Sequence, residues 1–192
     1  MTEYYIDVET LGTDPQEDKI ITIQYQMLED GEPVGDFVIL KEWESSEGDI
    51  VKEILDQKIL DPGWDFVPVG NRLRFDIIFI MEKARKHGLL DPKVAEIKYY
   101  FFQKPKLDIY PMLIMMNDMK FKGSGVDNFT EKRKGEIVPL LYAERNYEEI
   151  VKYIHQERDA VLGLIAELRS VLSTFGKRKK HALAEAQAKQ TE

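Results

Sequence analysis

Two acidic residues near the start of the chain, Asp7 and Glu9, are spaced so that they could act together on a cation. They lie in YYIDVE (residues 4–9), where polar and apolar residues alternate as in a β-strand. Residues two apart point to the same face of a strand, so the carboxylates would project side by side, with Ile6 and Val8 facing the core. The alternative is an exposed polar face, because charged residues are mostly at the surface. The pair alone does not decide between the two.

A third carboxylate, Asp76, stands in an apolar run between Phe75 and the residues IIFIM. Its neighbours on both sides belong in a core, and a buried carboxylate without a partner is costly. A metal ion at the start of the following helix would supply that partner. The alternative is an acid in the first turn of the helix, where it would cap the helix or interact with its dipole.

A fourth acid, Glu157, is predicted to point inward from the last long helix. It shares one helical face with Ile150 and Tyr153, and an apolar face of this kind must pack on the sheet. Asp159 falls on another stripe together with His155, where contact with water is the simpler interpretation. Glu157 could equally be a partly buried acid that pairs with a lysine or an arginine.

Composition restricts the kind of metal and the kind of partner. The chain has no cysteine, so a metal would be held by oxygen or by the three histidines, which favours Mg²⁺ or Mn²⁺. The net charge of -8 excludes a protein that coats nucleic acid with a broadly basic surface. No apolar stretch is long enough to cross a bilayer and the N-terminus is unlike a signal peptide, so we expect a cytoplasmic protein without membrane contact.

The acids must be positioned by a sheet and by the helices that cover it. YYIDVE begins a three-stranded meander, which continues with IITIQYQML and VGDFVIL. Alternation in the second strand predicts that Ile21, Ile23, Tyr25 and Met27 share one face. A helix over residues 49–60 and the short apolar strand FVPVG follow.

Helices dominate the rest of the chain. One is predicted in FDIIFIMEKARKHG, after a loop over residues 71–74 and up to Gly88. KLDIYPMLIMMND predicts a strand and then a helix that begins near Pro111. The segment MKFKGSGVDNFTEKRKG is predicted to be a loop with a short helix.

The last long helix is predicted to run from Asn146 to about Thr174, ahead of Gly176. The residues beyond it are mainly alanine and charged residues, which predicts a disordered tail over residues 177–192. We therefore expect a single α/β domain over residues 1–176, with a mixed sheet flanked by helices.

Three segments, in this order, resemble the motifs of the DEDD 3'-5' exonucleases, a family with a ribonuclease H-like fold that includes the proofreading domains of DNA polymerases. YIDVETLGTDP followed by KIITIQYQML resembles the first motif, and VPVGNRLRFDIIFI resembles the second. EEIVKYIHQERDA resembles the third motif in its tyrosine subtype. Two departures are the pair Asn71 and Arg72, where the family often has His-Asn, and a glutamate as the fourth acid.

The resemblance implies hydrolysis of phosphodiester bonds by two Mg²⁺ or Mn²⁺ ions, which release nucleoside 5'-monophosphates from a 3' end. The implied metal ligands are Asp7, Glu9, Asp76 and Glu157, with Asp159 next to His155 as a rival for the last. Asp7 would bridge the two ions. Tyr153 would orient the attacking water.

Residues that could contact nucleic acid are basic or aromatic and lie in loops. The candidates are Arg72, Arg74, Lys120, Phe121 and Lys122, with Phe129, Lys132, Arg133 and Lys134 further along the same glycine-containing stretch. Aromatic rings between cations could stack on bases. The resemblance implies nucleic acid as the partner, with single-stranded DNA or a free 3' end favoured, and leaves DNA against RNA and single against double strand open. The alternative for any one lysine is a solvated loop position.

Two other functions stay open. The departures at Asn71, Arg72 and Glu157 favour a ribonuclease H-like module that binds nucleic acid or assembles complexes without catalysis. An endonuclease of the same fold that acts on RNA:DNA hybrids is the other. The methionine-rich stretch from Met112 to Met119 is typical of a core or a subunit contact, which leaves a homo-oligomer open.

Overall fold

The sheet of the molecule has five strands. A computed structural model describes residues 2–57, 66–90, 93 and 103–188 of the chain. The strands are β1 Thr2–Thr10, β2 Ile20–Glu29, β3 Glu32–Lys41, β4 Phe66–Gly70 and β5 Leu107–Asp108. They lie in the order β3-β2-β1-β4-β5. Strand β2 pairs antiparallel with both β1 and β3, and the pairs β1–β4 and β4–β5 are parallel. This mixed sheet, flanked by helices, confirms the predicted α/β fold.

The described residues form five α-helices, which cover both faces of the sheet. They are α1 Glu47–Asp56, α2 Leu73–Lys86, α3 Tyr110–Met116, α4 Ile137–Ala143 and α5 Tyr147–Ala188. Helices α1 and α2 share a core with Ile6 and Val8 of β1, whereas α3 and α5 pack on the opposite face, with Tyr5. None of these helices has an apolar stretch long enough to span a membrane.

Helix α2 begins earlier than the sequence predicts. Leu73 and Arg74 were expected in a loop, but both belong to the helix. Arg72, just before it, adopts the left-handed conformation with φ 58°, and its backbone N–H is bound by the carboxylate of Asp108. This cap comes from another strand and is therefore invisible in the local sequence. At the other end Gly88, with φ +68°, follows the helix as predicted.

A bulge interrupts the ladder between β1 and β2. The register is regular through Glu9 and then slips by one residue before Thr10. Ile21 consequently packs against α4 and α5, whereas Ile23 packs against α1 and α2. The prediction that Ile21 shares a face with Ile23 is wrong, because a one-residue slip moves a side chain to the other face.

Other helix boundaries also differ from the prediction. Ser46 accepts a hydrogen bond from the Asp49 N–H at 3.2 Å and caps α1, which starts two residues earlier than predicted. The predicted end of α1 at residue 60 lies outside the described residues. Helix α4 has no counterpart in the prediction. A strand, a helix and a short 3₁₀ turn at Val126–Asn128 follow β4 and α2 as predicted.

Helix α5 continues to Ala188, past Thr174, where the sequence predicts its end. Its last part is rich in alanine, lysine and glutamate, which have high intrinsic helix propensity even without a packing partner. The division of the chain into a domain of residues 1–176 and a tail of residues 177–192 stays a prediction.

Candidate acidic site

The four predicted acids come from three elements and lie near enough to act on one another electrostatically. Asp7 and Glu9 belong to β1, Asp76 is the fourth residue of α2, and Glu157 lies on α5. Asp76 and Glu157 are buried, at 2% and 8% exposed. The negative charges act on one another, since Glu157 acts on Asp7 and the other three acids all act on Glu9. The fold therefore gathers the four acids that the sequence singled out into one group, the acid cluster.

Asp7 is held in place by the neighbouring strand. Gln24 lies opposite it in the ladder and donates from Nε2 to Asp7 Oδ2 at 2.6 Å. Thr22 in turn donates from Oγ1 to Gln24 Oε1 at 3.0 Å. Burial, together with the charge of Glu157, raises the pKa of Asp7 to about 8 despite this hydrogen bond. At neutral pH such a carboxyl keeps its proton for much of the time, unless a cation comes near it.

Asp76 connects α2 to β1. Its Oδ1 accepts a hydrogen bond from the Val8 N–H at 3.1 Å, while its Oδ2 is buried and has no hydrogen-bond partner. Burial and the charge of Asp7 raise the pKa of Asp76. The sequence allowed either a first-turn acid or a metal ligand. The first-turn position is observed, and the free Oδ2 is an oxygen that a cation could bind.

Asp108, at the end of β5, fixes where α2 begins. Its Oδ1 accepts from the Arg72 N–H at 2.9 Å and its Oδ2 from the Leu73 N–H at 3.1 Å. A third N–H, that of Tyr110, donates to Oδ1 at 3.0 Å. Because Asp76 lies in the first turn of the same helix, Asp108 also positions Asp76. Sequence analysis did not single out Asp108.

Glu157 is bound by two donors. Tyr153, one turn earlier on α5, donates its hydroxyl to Glu157 Oε2, and Lys132 Nζ donates to the same oxygen. Lys132 Nζ also donates to the Tyr153 hydroxyl at 2.7 Å. The sequence left open that Glu157 pairs with a lysine, and the structure identifies that lysine as Lys132. Its position in a loop gave no periodic signal that could have identified it.

Burial raises the pKa of Tyr153 far above its ordinary value, and the charges of Glu9 and Glu157 act in the same direction. The phenol therefore keeps its proton and serves as a hydrogen-bond donor rather than as a base. This state is consistent with the predicted role of Tyr153 in orienting a water molecule.

Tyr5 adds a hydroxyl to the cluster. It lies on the same face of β1 as Asp7, it is fully buried, and its hydroxyl has no hydrogen-bond partner. Burial raises its pKa, and all four acids raise it further. Buried polar groups without a partner are rare and call for an explanation. Among the described residues, three buried side-chain atoms have no hydrogen-bond partner: Asp76 Oδ2 in the acid cluster, the Tyr5 hydroxyl beside it, and Asn71 Oδ1.

The acid cluster has the carboxylate oxygens of a site for a hard divalent cation, but these oxygens are not arranged around a metal position and are partly bound by protein donors. Among the described residues, no three Asp, Glu or His side chains are arranged so that they could hold a metal ion. Gln24 binds Asp7, the Val8 N–H binds Asp76, and Lys132 binds Glu157. The donors are nonetheless carboxylate oxygens, which Mg²⁺ and Mn²⁺ prefer, and Asp76 Oδ2 has no competing donor.

Asp159, the alternative to Glu157 as the fourth metal ligand, lies outside the cluster. Asp159 is exposed and pairs with the adjacent Arg158 at 2.6 Å. His155 is also exposed and contacts the edge of Phe37, with the ring centroids 5.2 Å apart. Both residues therefore have the solvated environment that helical periodicity predicted for them.

Two of the predicted substrate contacts differ from expectation. The Arg72 guanidinium lies over the ring of Tyr110, 4.4 Å from its centroid, and Phe129 packs against the core between α3 and α5 instead of facing solvent. Arg74 is exposed on the first turn of α2. Of the two phenylalanines expected to stack on bases, Phe121 is exposed and Phe129 is half-buried.

Phe121 lies at the centre of an exposed turn, the Phe121 loop (residues 117–124). Its side chain is 73% exposed, and Lys120 and Lys122 on either side are exposed as well. A single exposed apolar side chain is common at protein surfaces, so it is the position of Phe121 between two exposed lysines that makes this loop a candidate contact.

The Phe121 loop is fixed by hydrogen bonds within itself. Asn117 donates from Nδ2 to the Lys120 carbonyl at 3.0 Å, to the Lys122 carbonyl at 2.9 Å and to Ser124 Oγ at 3.1 Å. Asp118 and Met119 both have positive φ, at 51° and 61°. Non-glycine residues in this conformation are held there by their surroundings, which makes the turn a rigid one.

Solved structures of exonuclease I are among those similar to this chain. The Escherichia coli enzyme in complex with a 5cy-dT13 oligonucleotide is 14% identical at a TM-score of 0.45, over 60% of this chain and 29% of that chain. The zinc-bound form of the E. coli enzyme with single-stranded DNA has 14% identity and a TM-score of 0.48, over 64% of this chain and 30% of that one. The moderately thermophilic exonuclease I from Methylocaldum szegediense has 18% identity and a TM-score of 0.46, over 64% of this chain and 30% of that one.

The part that matches spans less than a third of the length of these exonuclease I chains. No protein-family model and no curated protein matches the chain. Because all three TM-scores lie below 0.5, the function proposed for this chain rests on its own side chains.

Proposed function

We propose that this chain is a metal-dependent 3'-5' exonuclease that hydrolyses phosphodiester bonds, with single-stranded DNA as the favoured substrate. One observation carries the proposal: four acids from β1, α2 and α5, up to 150 residues apart in the sequence, form one cluster. Their order and neighbours follow the three motifs of the DEDD exonucleases.

A purely structural role explains such a cluster poorly. Burial raises the pKa values of Asp7, Glu9 and Asp76, and the repulsion between carboxylates brought together in one place raises them further. Raised pKa values of this kind concentrate at functional sites. A fold that keeps Asp76 Oδ2 without a donor gives up stability there, which is the pattern expected where a ligand completes the site.

Asp7, Glu9 and Asp76 would hold the divalent cation, with Glu157 beside them. A bound Mg²⁺ or Mn²⁺ would supply activation of water and stabilisation of the charge that develops on the phosphate. The protein's own residues position the ligands: Gln24 orients Asp7, and Asp108 fixes the start of α2 and so the place of Asp76. Tyr153 keeps its proton and donates to Glu157.

The Phe121 loop is the proposed contact for the substrate strand. An exposed ring between two lysines offers a base a surface to stack on and its phosphates a local positive charge, in a chain whose net charge is -8. Stacking on aromatic residues tolerates any base sequence, as an exonuclease requires.

The test is degradation of a single strand labelled at its 5' end, with a free or a blocked 3' end, in Mg²⁺, Mn²⁺ or a chelator. We expect stepwise shortening of the unblocked strand with either metal, and none with the chelator or the blocked end. Asp7→Asn protein purified in the same way controls for contaminating nucleases. Internal fragments would instead indicate an endonuclease, which the same assay on RNA:DNA hybrids would reveal.

A module without catalysis is the second candidate, and one observation favours it. Lys132 already neutralises Glu157, as expected of a site that has no use for a metal there. Complete absence of metal-dependent cleavage of DNA and RNA, with retained binding of single strands, would establish this second function and refute the first.

A further inference from the structure

Lys132 is the cation that the acid cluster already contains. Its ammonium donates to Glu157 and, at 2.7 Å, to the Tyr153 hydroxyl, and it lies 4.8 Å from the centroid of the Tyr153 ring. Its charge also reaches β1, where it lowers the pKa of Asp7 and of Glu9 against the effect of burial. The ammonium is therefore inside the cluster and not at its edge.

The environment of Lys132 is unlike that of a lysine on a solvated loop. Its side chain is 7% exposed, compared with 70% for that of Lys120. A buried ammonium is unfavourable unless it has close partners of opposite charge. The sequence interpretation of Lys132 as one of several surface contacts for nucleic acid is corrected by this burial.

The loop that carries Lys132 is fastened to α5. Arg133 pairs with Glu149 at 3.3 Å and donates to Gln156 Oε1 at 3.4 Å. Gly135 passes so close to α5 that a Cβ atom there would lie 3.2 Å from the Tyr153 hydroxyl. These contacts hold the loop against the helix that carries Glu157, so the ammonium has a fixed place in the cluster.

We propose that the Lys132 ammonium takes the place of one of the two metal ions, the one at Glu157, so that no divalent ion binds beside Glu157 in the wild-type chain. This inference rests on the proposed function and changes the two-ion stoichiometry expected from the motifs. An ammonium is a compact point charge with three donors, which suits it to replace a small cation beside carboxylate and phosphate oxygens.

The experiment counts bound ions without using catalysis. Wild type, Lys132→Met, Lys134→Met and the double variant Lys132→Met/Glu157→Gln are dialysed to equilibrium against Mn²⁺, and the bound metal is measured for each chain. Methionine keeps much of the length of the lysine side chain and removes its charge. Lys134 is exposed in the same loop, so Lys134→Met controls for the loss of one positive charge. Circular dichroism confirms that every variant counted is folded.

The proposal expects Lys132→Met to bind one Mn²⁺ more than wild type. Lys134→Met is expected to bind the same number as wild type, and the double variant to lose the additional ion. Equal numbers for folded Lys132→Met and wild type overturn the proposal, whatever that number is. The conservative variant Lys132→Arg, which retains the charge, should bind as wild type does, and an extra ion in Lys132→Arg would overturn the proposal as well.

Failure of the proposed function has a different signature. If wild type binds no Mn²⁺ and Lys132→Met gains one ion, the role of Lys132 is supported and the metal-dependent function of the wild-type chain is refuted. If wild type and Lys132→Met each bind two ions, Lys132 is not a substitute cation, and the exonuclease proposal stands.

Discussion

The acid cluster and the Phe121 loop are built in opposite ways. The cluster takes its members from β1, α2 and α5, and Asp76 within it is 2% exposed. The Phe121 loop consists of consecutive residues, and the Phe121 side chain is 73% exposed. Asp108 helps to position the acid cluster by accepting hydrogen bonds from N–H groups of distant residues. Asn117 fixes the Phe121 loop by donating hydrogen bonds to its near neighbours in the sequence.

The difference shows how each region depends on the rest of the molecule. The geometry of the acid cluster depends on strand register and on the placement of two helices, so a distant change can disturb it. The Phe121 loop keeps its shape through its own hydrogen bonds and can change in sequence without disturbing the sheet. We therefore expect chemistry to depend on the first region and substrate affinity on the second.

The largest effect is expected from Asp7→Asn, which should lower the rate of metal-dependent hydrolysis by about 10³-fold, because loss of one ligand removes several kcal/mol of charge stabilisation. Asp159→Asn is the matched control, since Asp159 is exposed on α5 and pairs only with its neighbour Arg158 among the contacts described for it. Release of mononucleotides measures both. A wild-type rate in Asp7→Asn would remove the acid cluster from the chemistry.

Phe121→Ala should weaken binding of a single strand by about 1–3 kcal/mol, the usual contribution of one stacked base. Anisotropy of a labelled oligonucleotide measures the affinity, with Asp7→Asn as the background so that no strand is degraded. Leu140→Ala removes another exposed apolar side chain, one that is 65% exposed on α4, and should leave the affinity unchanged. Equal losses in the two variants would show that Phe121 has no special contact.

Asp108→Ala and Asn117→Ala compare the two regions directly, because each removes three hydrogen bonds. Asp108→Ala should lower the free energy of unfolding by about 1–2 kcal/mol through loss of the α2 cap, and should lower kcat because Asp76 shifts. Asn117→Ala should weaken the affinity for the strand and leave kcat unchanged. Urea unfolding and steady-state kinetics separate these outcomes, and an unchanged kcat in Asp108→Ala would contradict the positioning role.

The last prediction concerns a pH dependence of the free energy of unfolding, measured in chelator. The pKa of Asp7 is raised from 3.8 to about 8 in the folded chain, so the folded state binds this proton more tightly than the unfolded state. The stability that this proton contributes is present below pH 4 and is lost as the pH rises towards 8.

An asparagine at this position cannot lose a proton, so Asp7→Asn should gain stability relative to wild type as the pH rises from 4 to 8. Thermal melts across that range measure the gain. Asp118→Asn, in the Phe121 loop, should melt in parallel with wild type. A constant difference between Asp7→Asn and wild type would mean that Asp7 carries no raised pKa.

The sequence was sufficient for those parts of the site that depend on local periodicity. Alternation in YYIDVE placed Asp7 and Glu9 on one face, and the 3.6-residue repeat placed Glu157 on the buried stripe of α5. The apolar neighbours of Asp76 correctly indicated its burial. The mixed sheet followed from the order of strands and helices.

The contacts that sequence analysis missed all join residues that are far apart in the chain. Gln24 binds Asp7 from 17 residues away, Asp108 caps α2 from 35 residues away, and Lys132 binds Glu157 from 25 residues away. Such contacts depend on register and on loop paths, which leave no repeat in the sequence. Lys132 in particular looks like any other lysine of a basic loop until the packing of that loop on α5 is known.

The bulge between β1 and β2 separates the acid pair from the turn that joins the two strands. The ladder is regular through Glu9, and the extra residue Ile21 lies on the side of the turn. In a continuous ladder, one residue inserted into the turn at residues 11–19 could slide β2 along β1 and take Gln24 away from Asp7. With the bulge in between, such an insertion can be absorbed before it reaches Glu9. This turn is therefore a place where the chain can vary in length, or accept a grafted peptide, without altering the alignment of the acids.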